Sequence, residues 1–264
     1  MLAAACMTVC AAFAQKTICV STEKTDLVLK VSPKGRLYQV YLGDRLLDAS
    51  DYDQLKWDVY AASDGSVCQR GHEVYATSGA EDFFEPALAI THADGNMTTY
   101  LYFQSCEQKA VEGGTETIIT LADKEYPVTV VLHYVAYTKE NVIKAWSEIS
   151  HKEKSAVTLW RYASTMLYFK SASYYVTTYH GDWAKEGQPE TARLTKGKKI
   201  VDTKLGTRAA MQQEPFFELG FDAPARESEG QVMLGTIGWP GNFQFTFEVD
   251  NVGALRVIPA INPY

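Results

Sequence analysis

Two acidic stretches carry the residue types that could do chemistry. In YHGDWAKE, Tyr179 to Glu186, a histidine (His180), a tryptophan (Trp183) and two carboxylates (Asp182 and Glu186) fall within eight residues. Asp182 and Glu186 are four apart, so a helical turn would put both on one face. Two carboxylates flanking a glycosidic bond can hydrolyse it, and a tryptophan ring beside them suits stacking on a sugar face. Asp82 with Glu81 or Glu85 forms a second such cluster. Paired acids are common in an acidic chain, and most are solvated. The plainer reading of YHGDWAKE is a buried tryptophan anchoring a loop, with Asp182 capping the turn that follows. Residue chemistry alone favours the plainer reading.

Other chemistries lack support. The five histidines (His72, His92, His133, His151 and His180) never form H-x-H or H-E-x-x-H, so no metal is expected. There is no G-x-S-x-G elbow, no phosphate-binding P-loop and no G-x-G-x-x-G, and no cofactor is expected. Asn96-Met97-Thr98 matches a glycosylation sequon, a pattern too short to weigh much. The net charge is −7, and the basic run Lys196-Gly197-Lys198-Lys199 is short. A nucleic-acid partner, which needs clustered positive charge, is not expected. That run reads as a turn.

The elements around these residues read as strands. Leu27, Leu29 and Val31 alternate with more polar neighbours, Pro33 to Arg36 makes a turn, and a second run starts at Leu37. This pattern predicts a hairpin. A second hairpin is predicted around Asp94-Gly95-Asn96. Alternation continues from Tyr126 to Tyr137 and from Asn141 to Ile149. Val232 to Trp239 and Phe243 to Val249 flank Pro240-Gly241-Asn242 as a further hairpin, and Asn251 to Gly253 turns into Leu255 to Ile258. Helical periodicity is scarce. Asp182 to Arg193 could form a short helix, which Gly187 and Pro189 would break early. Frequent strands between Gly, Pro, Asn and Asp turns predict an all-β, large antiparallel sandwich with few short helices. No repeat or linker divides it, so residues 15–264 read as one domain.

Residues 1–14 form an apolar run ending in Ala12-Phe13-Ala14. This is an A-x-A cleavage pattern, though a basic n-region is missing. The expectation is a signal peptide and export to the periplasm or medium. The competing readings are a cytoplasmic protein with an apolar first strand, or a lipoprotein using Cys6 or Cys10. The run is too short to span a bilayer, which takes about 20 residues, and no other run is longer. Cys19, Cys68 and Cys106 would remain; they fit no zinc pattern and allow at most one disulfide. Buried free thiols are an equal expectation. The last residues run out of a strand without a polar tail, which suggests a continuing chain.

Several stretches taken in order then become informative. YYVTTYHGDWAKE, LTKGKKIVDTKLGTRAAMQQEPFFEL and GWPGNFQFTFEVDNVGALRVIPAINP resemble the N-terminal domain of glycoside hydrolase family 36 α-galactosidases. Upstream, HEVYATSGAEDFFEPALAITHADG resembles that family's Gly-x-Asp-Phe-Arg-x-Pro-Ala loop. The resemblance runs from about Leu27 to the end. It implies a β-supersandwich of the galactose-mutarotase-like kind, preceding a catalytic (β/α)8 barrel. Both catalytic aspartates would belong to that barrel, so no catalytic residue is expected here. The partners implied are α-galactoside oligosaccharides, the chain's own barrel domain and further copies in a dimer or tetramer. In tetrameric members the Asp-Phe-Arg loop reaches a neighbouring subunit's pocket. The matching residues are Asp82 and Phe83, with Phe84 in the arginine position; the resemblance makes them the expected substrate-binding residues, Asp82 foremost as a substrate or interface contact, and the plainer reading of Asp82 is a capping carboxylate in a surface loop. Phenylalanine offers none of arginine's five donors, so a polar contact through position 84 is not implied. His180, Asp182 and Trp183 match a framework motif, structural or barrel-facing, with a place at the pocket edge left open. A stand-alone carbohydrate-binding or assembly module remains the alternative. The enzyme reading expects an exposed apolar patch where the barrel docks, and the module reading expects a polar surface throughout.

Overall fold

The computed structural model describes residues 16–56, 60–61, 68–69, 72–80, 82–239 and 241–262. The expected signal peptide, residues 1–14, and Glu81 lie outside them. In chain order the strands are β1 (Thr17–Ser21), β2 (Thr25–Val31), β3 (Leu37–Asp44), β4 (Tyr60–Ala61), β5 (Cys68–Gln69), β6 (Leu88–Thr91) and β7 (Tyr102–Val111). Then come β8 (Gly114–Ala122), β9 (Val128–Tyr137), β10 (Val142–His151), β11 (Thr158–Tyr162), β12 (Leu167–Lys170) and β13 (Tyr174–His180). The last are β14 (Gln188–Leu194), β15 (Gly197–Asp202), β16 (Gln213–Phe221), β17 (Val232–Thr236), β18 (Phe243–Val249) and β19 (Ala254–Ile261). One short helix, α1 (Ala49–Gln54), and a 3-10 segment, Gly206–Met211, complete the described elements. The molecule is nearly all β and antiparallel, as expected.

Two sandwiches stand side by side. In the first, sheet β1-β2-β3 faces sheet β10-β9-β8-β7. Period 2 puts Val128, Val130, Leu132, Tyr134 and Ala136 of β9 on one face. Val130, Leu132, Tyr134 and Ala136 meet Leu27, Leu29 and Val31 of β2 in one buried core. In the second, sheet β12-β19-β18-β15 faces sheet β14-β13-β16-β17. Phe243, Phe245 and Phe247 of β18 pack there against Phe217, Leu219 and Val176. Each such ring contributes about 1.5–3 kcal/mol on burial. The amide of Gln39, on β3, joins the halves. Its Nε2 donates to the Tyr168 carbonyl at 2.7 Å, and its Oε1 accepts from Tyr168 N at 3.1 Å. This replaces a backbone ladder with a side chain that serves both a donor and an acceptor.

Local turns follow the sequence reading, and long-range pairings depart from it. The 33–36 turn joins β2 to β3, and the 251–253 turn joins β18 to β19; the two alternating runs of β9 and β10 pair with each other as a hairpin. The turn at 94–96 forms, with Gly95 N donating to the His92 carbonyl at 2.9 Å. It does not close a hairpin, because β6 pairs with β11. Likewise β17 pairs with β16 while β18 pairs with β15 and β19, so residues 237–242 cross between two sheets. The expected helix in 182–193 is absent. Residues 188–194 form strand β14, and Pro189 is tolerated because β14 is an edge strand. Gly197, Lys198 and Lys199 belong to β15 rather than to a turn, Gly197 opening the strand with φ at +104°. Cys19 and Cys106 are free thiols, and the Cys68 side chain lies outside the described residues.

Candidate functional site

The loop carrying Asp82, Phe83 and Phe84 lies across the outer face of sheet β12-β19-β18-β15. That face is built by the alternate residues of β18 and β19: Thr246, Glu248 and Arg256. Arg256 is 2% exposed, a position where a cation persists only if paired. Its Nη2 reaches Asp82 Oδ2 at 2.9 Å and Oδ1 at 3.2 Å, and its Nη1 donates to the Glu85 carbonyl at 2.8 Å. The rings of Phe84 and Tyr168 each lie 5.3 Å from the guanidinium carbon, within cation–π range. Phe84 therefore covers the arginine rather than replacing one.

The rest of the loop is held just as closely. Asp82 Oδ1 also accepts from Phe84 N at 3.0 Å. Glu85 N donates to Glu248 Oε2 at 2.7 Å. The Glu85 carboxylate pairs with Arg161 and Lys198. Burial pushes the Glu248 carboxyl above its ordinary range, and Arg256 and Lys198 oppose that rise. The two described charges of the loop, Asp82 and Glu85, are thus engaged inward. What the loop presents outward is Phe83, 73% exposed. Of the three residues predicted here, Asp82 is the anchor, Phe84 the cover and Phe83 the free ring. Sequence reasoning missed Arg256. The available signal was a cation inside the apolar run LRVI, which a strand can bury only beside an acid.

YHGDWAKE is the end of β13 and a tight turn into β14. Asp182 Oδ1 accepts from Trp183 N at 2.7 Å, and Lys185 N donates to the Asp182 carbonyl at 3.0 Å. Asp182 thus caps the turn, as the plainer reading had it, but Trp183 is not the buried anchor of that reading: its ring is 90% exposed, because the turn projects from the end of the hairpin. Ala184 adopts φ +55° to close it. His180 Nε2 lies 3.0 Å from Glu190 Oε2 across the hairpin. Asp182 and Glu186 do share an open concavity with Trp183, Thr207, Arg208 and Met211. Both acids are exposed. A general acid needs burial to hold its proton at neutral pH, and this turn supplies none. Nothing here makes the pair a catalytic dyad, and no cluster among the described residues has the makings of a metal site.

Comparison with known proteins follows the same outline. Residues 35–264 match the model of the glycosyl hydrolase family 36 N-terminal domain. An α-galactosidase of Geobacillus stearothermophilus is 29% identical over 205 residues, covering 72% of this chain and 28% of that protein. The crystal structure of a form of this α-galactosidase in complex with raffinose superposes with a TM-score of 0.83 at 25% identity, over 94% of this chain and 38% of that one. An α-galactosidase from Lactobacillus brevis shares the fold, with a TM-score of 0.83 at 21% identity, over 96% of this chain and 37% of that one. The chain therefore spans well under half the length of the relatives it matches.

Proposed function

Because the chain belongs to the glycosyl hydrolase family 36 N-terminal domain family, we propose that it is the first domain of a retaining α-galactosidase. The whole enzyme removes terminal α-linked galactose from oligosaccharides of the raffinose kind. The family match over residues 35–264 carries this reading, and the raffinose complex of a relative supports the substrate class. The chemistry belongs to a barrel domain beyond these 264 residues. There one carboxylate attacks the anomeric carbon to form a glycosyl-enzyme, and a carboxylic acid protonates the leaving oxygen.

The role of this domain is assembly and the shaping of a pocket wall. The rigid 82–85 loop supports the second part of that role. It offers an exposed ring, Phe83, which suits stacking on a sugar's C–H face. In a homo-oligomer of the family's kind this wall would serve a neighbouring copy. Export, read from residues 1–14, belongs to the same proposal and is checked by N-terminal sequencing of the mature protein.

The test is turnover of p-nitrophenyl α-galactoside and raffinose by the full product of the reading frame. Galactose release by the full protein, with none from residues 15–264 alone, is the expected result. Sugar binding without turnover by the full product would replace the enzyme with a non-catalytic carbohydrate-binding module.

A further inference from the structure

We propose that a hollow at one end of the second sandwich binds a small sugar carrying a sulfate or phosphate ester. The hollow lies where the β12–β13, β14–β15 and β18–β19 turns meet, and its volume is about 480 Å³, within the range of small-molecule sites. Three cations line it: Lys170 at the end of β12, Arg193 on β14 and Lys196 in the turn into β15. No carboxylate lines it, in a chain whose net charge is −7. Arg161, Arg256 and Lys198 are spent on Glu85 and Asp82. Arg193 and Lys196 are exposed and have no carboxylate partner among the described residues.

The fold brings these charges together from both sheets. Lys170 pairs with Ala254 across β12 and β19, while Arg193 pairs with Tyr175 across β14 and β13. Lys196 bridges to Val249 at the end of β18. The nearest acids are turned into the walls. Asp222 Oδ1 accepts from Ser171 Oγ and from Ala172 N at 3.1 Å. Buried Asp250 accepts through Oδ1 from Val252 N at 3.0 Å and Ala254 N at 2.8 Å. Tyr174 Oη ties the two turns, donating to the Gly253 carbonyl at 2.9 Å and accepting from Ser171 N at 2.8 Å. The walls are thus organised before any ligand arrives, which lowers the entropy cost of binding. Arginine offers a planar fork that matches two oxygens of a tetrahedral oxyanion, and the lysines add point charge. Val252, 47% exposed, and Thr195 line the same hollow. They supply an apolar contact and a hydroxyl for a sugar ring, and a bare ion would leave most of the volume unfilled.

Titration calorimetry of the full-length protein tests this, with glucose 6-phosphate, glucose 6-sulfate, inorganic phosphate and uncharged glucose as probes. Saturable one-to-one binding of an ester is expected, with glucose binding at least about tenfold more weakly. Arg193→Gln and Lys196→Gln should each weaken ester binding at least about tenfold, the loss of one charge-assisted contact. Both side chains are exposed, so an unchanged thermal unfolding profile checks that the variants keep the fold. A tighter phosphate ester assigns a sugar phosphate, and a tighter sulfate ester assigns a sulfated saccharide. Equal binding assigns the oxyanion charge that the two share. Inorganic phosphate held as tightly as glucose 6-phosphate removes the sugar from the site and overturns the ester assignment. An ester that does not bind, or that both variants bind as the parent does, overturns the site itself. None of these readouts uses α-galactoside turnover, so failure here leaves the functional reading standing.

Discussion

The 82–85 loop and the 181–186 turn both looked like acidic sites, and they use their acids in opposite ways. In the loop, Asp82 and Glu85 face inward onto Arg256, Arg161 and Lys198. In the turn, Asp182 binds its own neighbouring backbone, and Glu186 faces solvent. One set of carboxylates fixes a loop onto a distant sheet, and the other shapes a local corner. Each region ends by presenting an aromatic ring outward: Phe83 at 73% exposure and Trp183 at 90%. The comparison teaches that nearby acids say little until their counter-charges are located. A pair-and-burial test separates anchors from chemistry.

The largest expected effect falls on the loop's anchor. Arg256→Met leaves Asp82 and Glu248 without their buried partner and should cost about 3–5 kcal/mol in unfolding free energy, read by urea denaturation. A loss below about 1 kcal/mol would mean that the loop holds without it. Asp82→Asn keeps the shape but removes the charge; about 1–3 kcal/mol is expected from an unmatched buried guanidinium. The matching change in the turn, Asp182→Ala, should cost only about 0.5–1 kcal/mol, because one exposed-edge hydrogen bond is lost. Equal costs for Asp82→Asn and Asp182→Ala would erase the contrast drawn here. Phe83→Ser should leave stability within about 0.5 kcal/mol, while raising the KM of the full enzyme for raffinose more than for p-nitrophenyl α-galactoside.

The smallest effect is a pH dependence at Glu248, the β18 carboxylate that holds the loop's Glu85 amide. A carboxyl whose folded value is raised favours folding in its protonated form. For Glu248 that contribution is complete below its ordinary value of 4.5 and is lost as pH rises through the raised value. Glu248→Gln should therefore gain stability relative to the parent as pH goes from 4 to 8, followed by thermal unfolding across that range.

Much of this architecture was legible from short windows. The β2–β3 turn, the alternation of β9 and β10 and the β18–β19 turn are local features, and alternation plus Gly, Pro and Asn chemistry is enough to read them. Misreadings arose where contact crosses long stretches of chain. The β6–β11 pairing replaces an expected local hairpin, and residues 237–242 join two sheets because β17 and β18 each find a better partner elsewhere. Lys30 shows the same limit. It sits in an apolar strand pattern, is buried, and is satisfied by the Leu55 carbonyl at 2.6 Å.

The sequence by itself determined an all-β chain, its turns and the family it resembles, because period-2 alternation and motif order are written along the backbone. Which of its acids act as anchors was decided only by tertiary structure. Asp82 and Arg256 are 174 positions apart, and no local rule pairs them. A buried charge takes its meaning from whatever the fold brings to within 3 Å of it, and that neighbour is set by the packing of whole sheets.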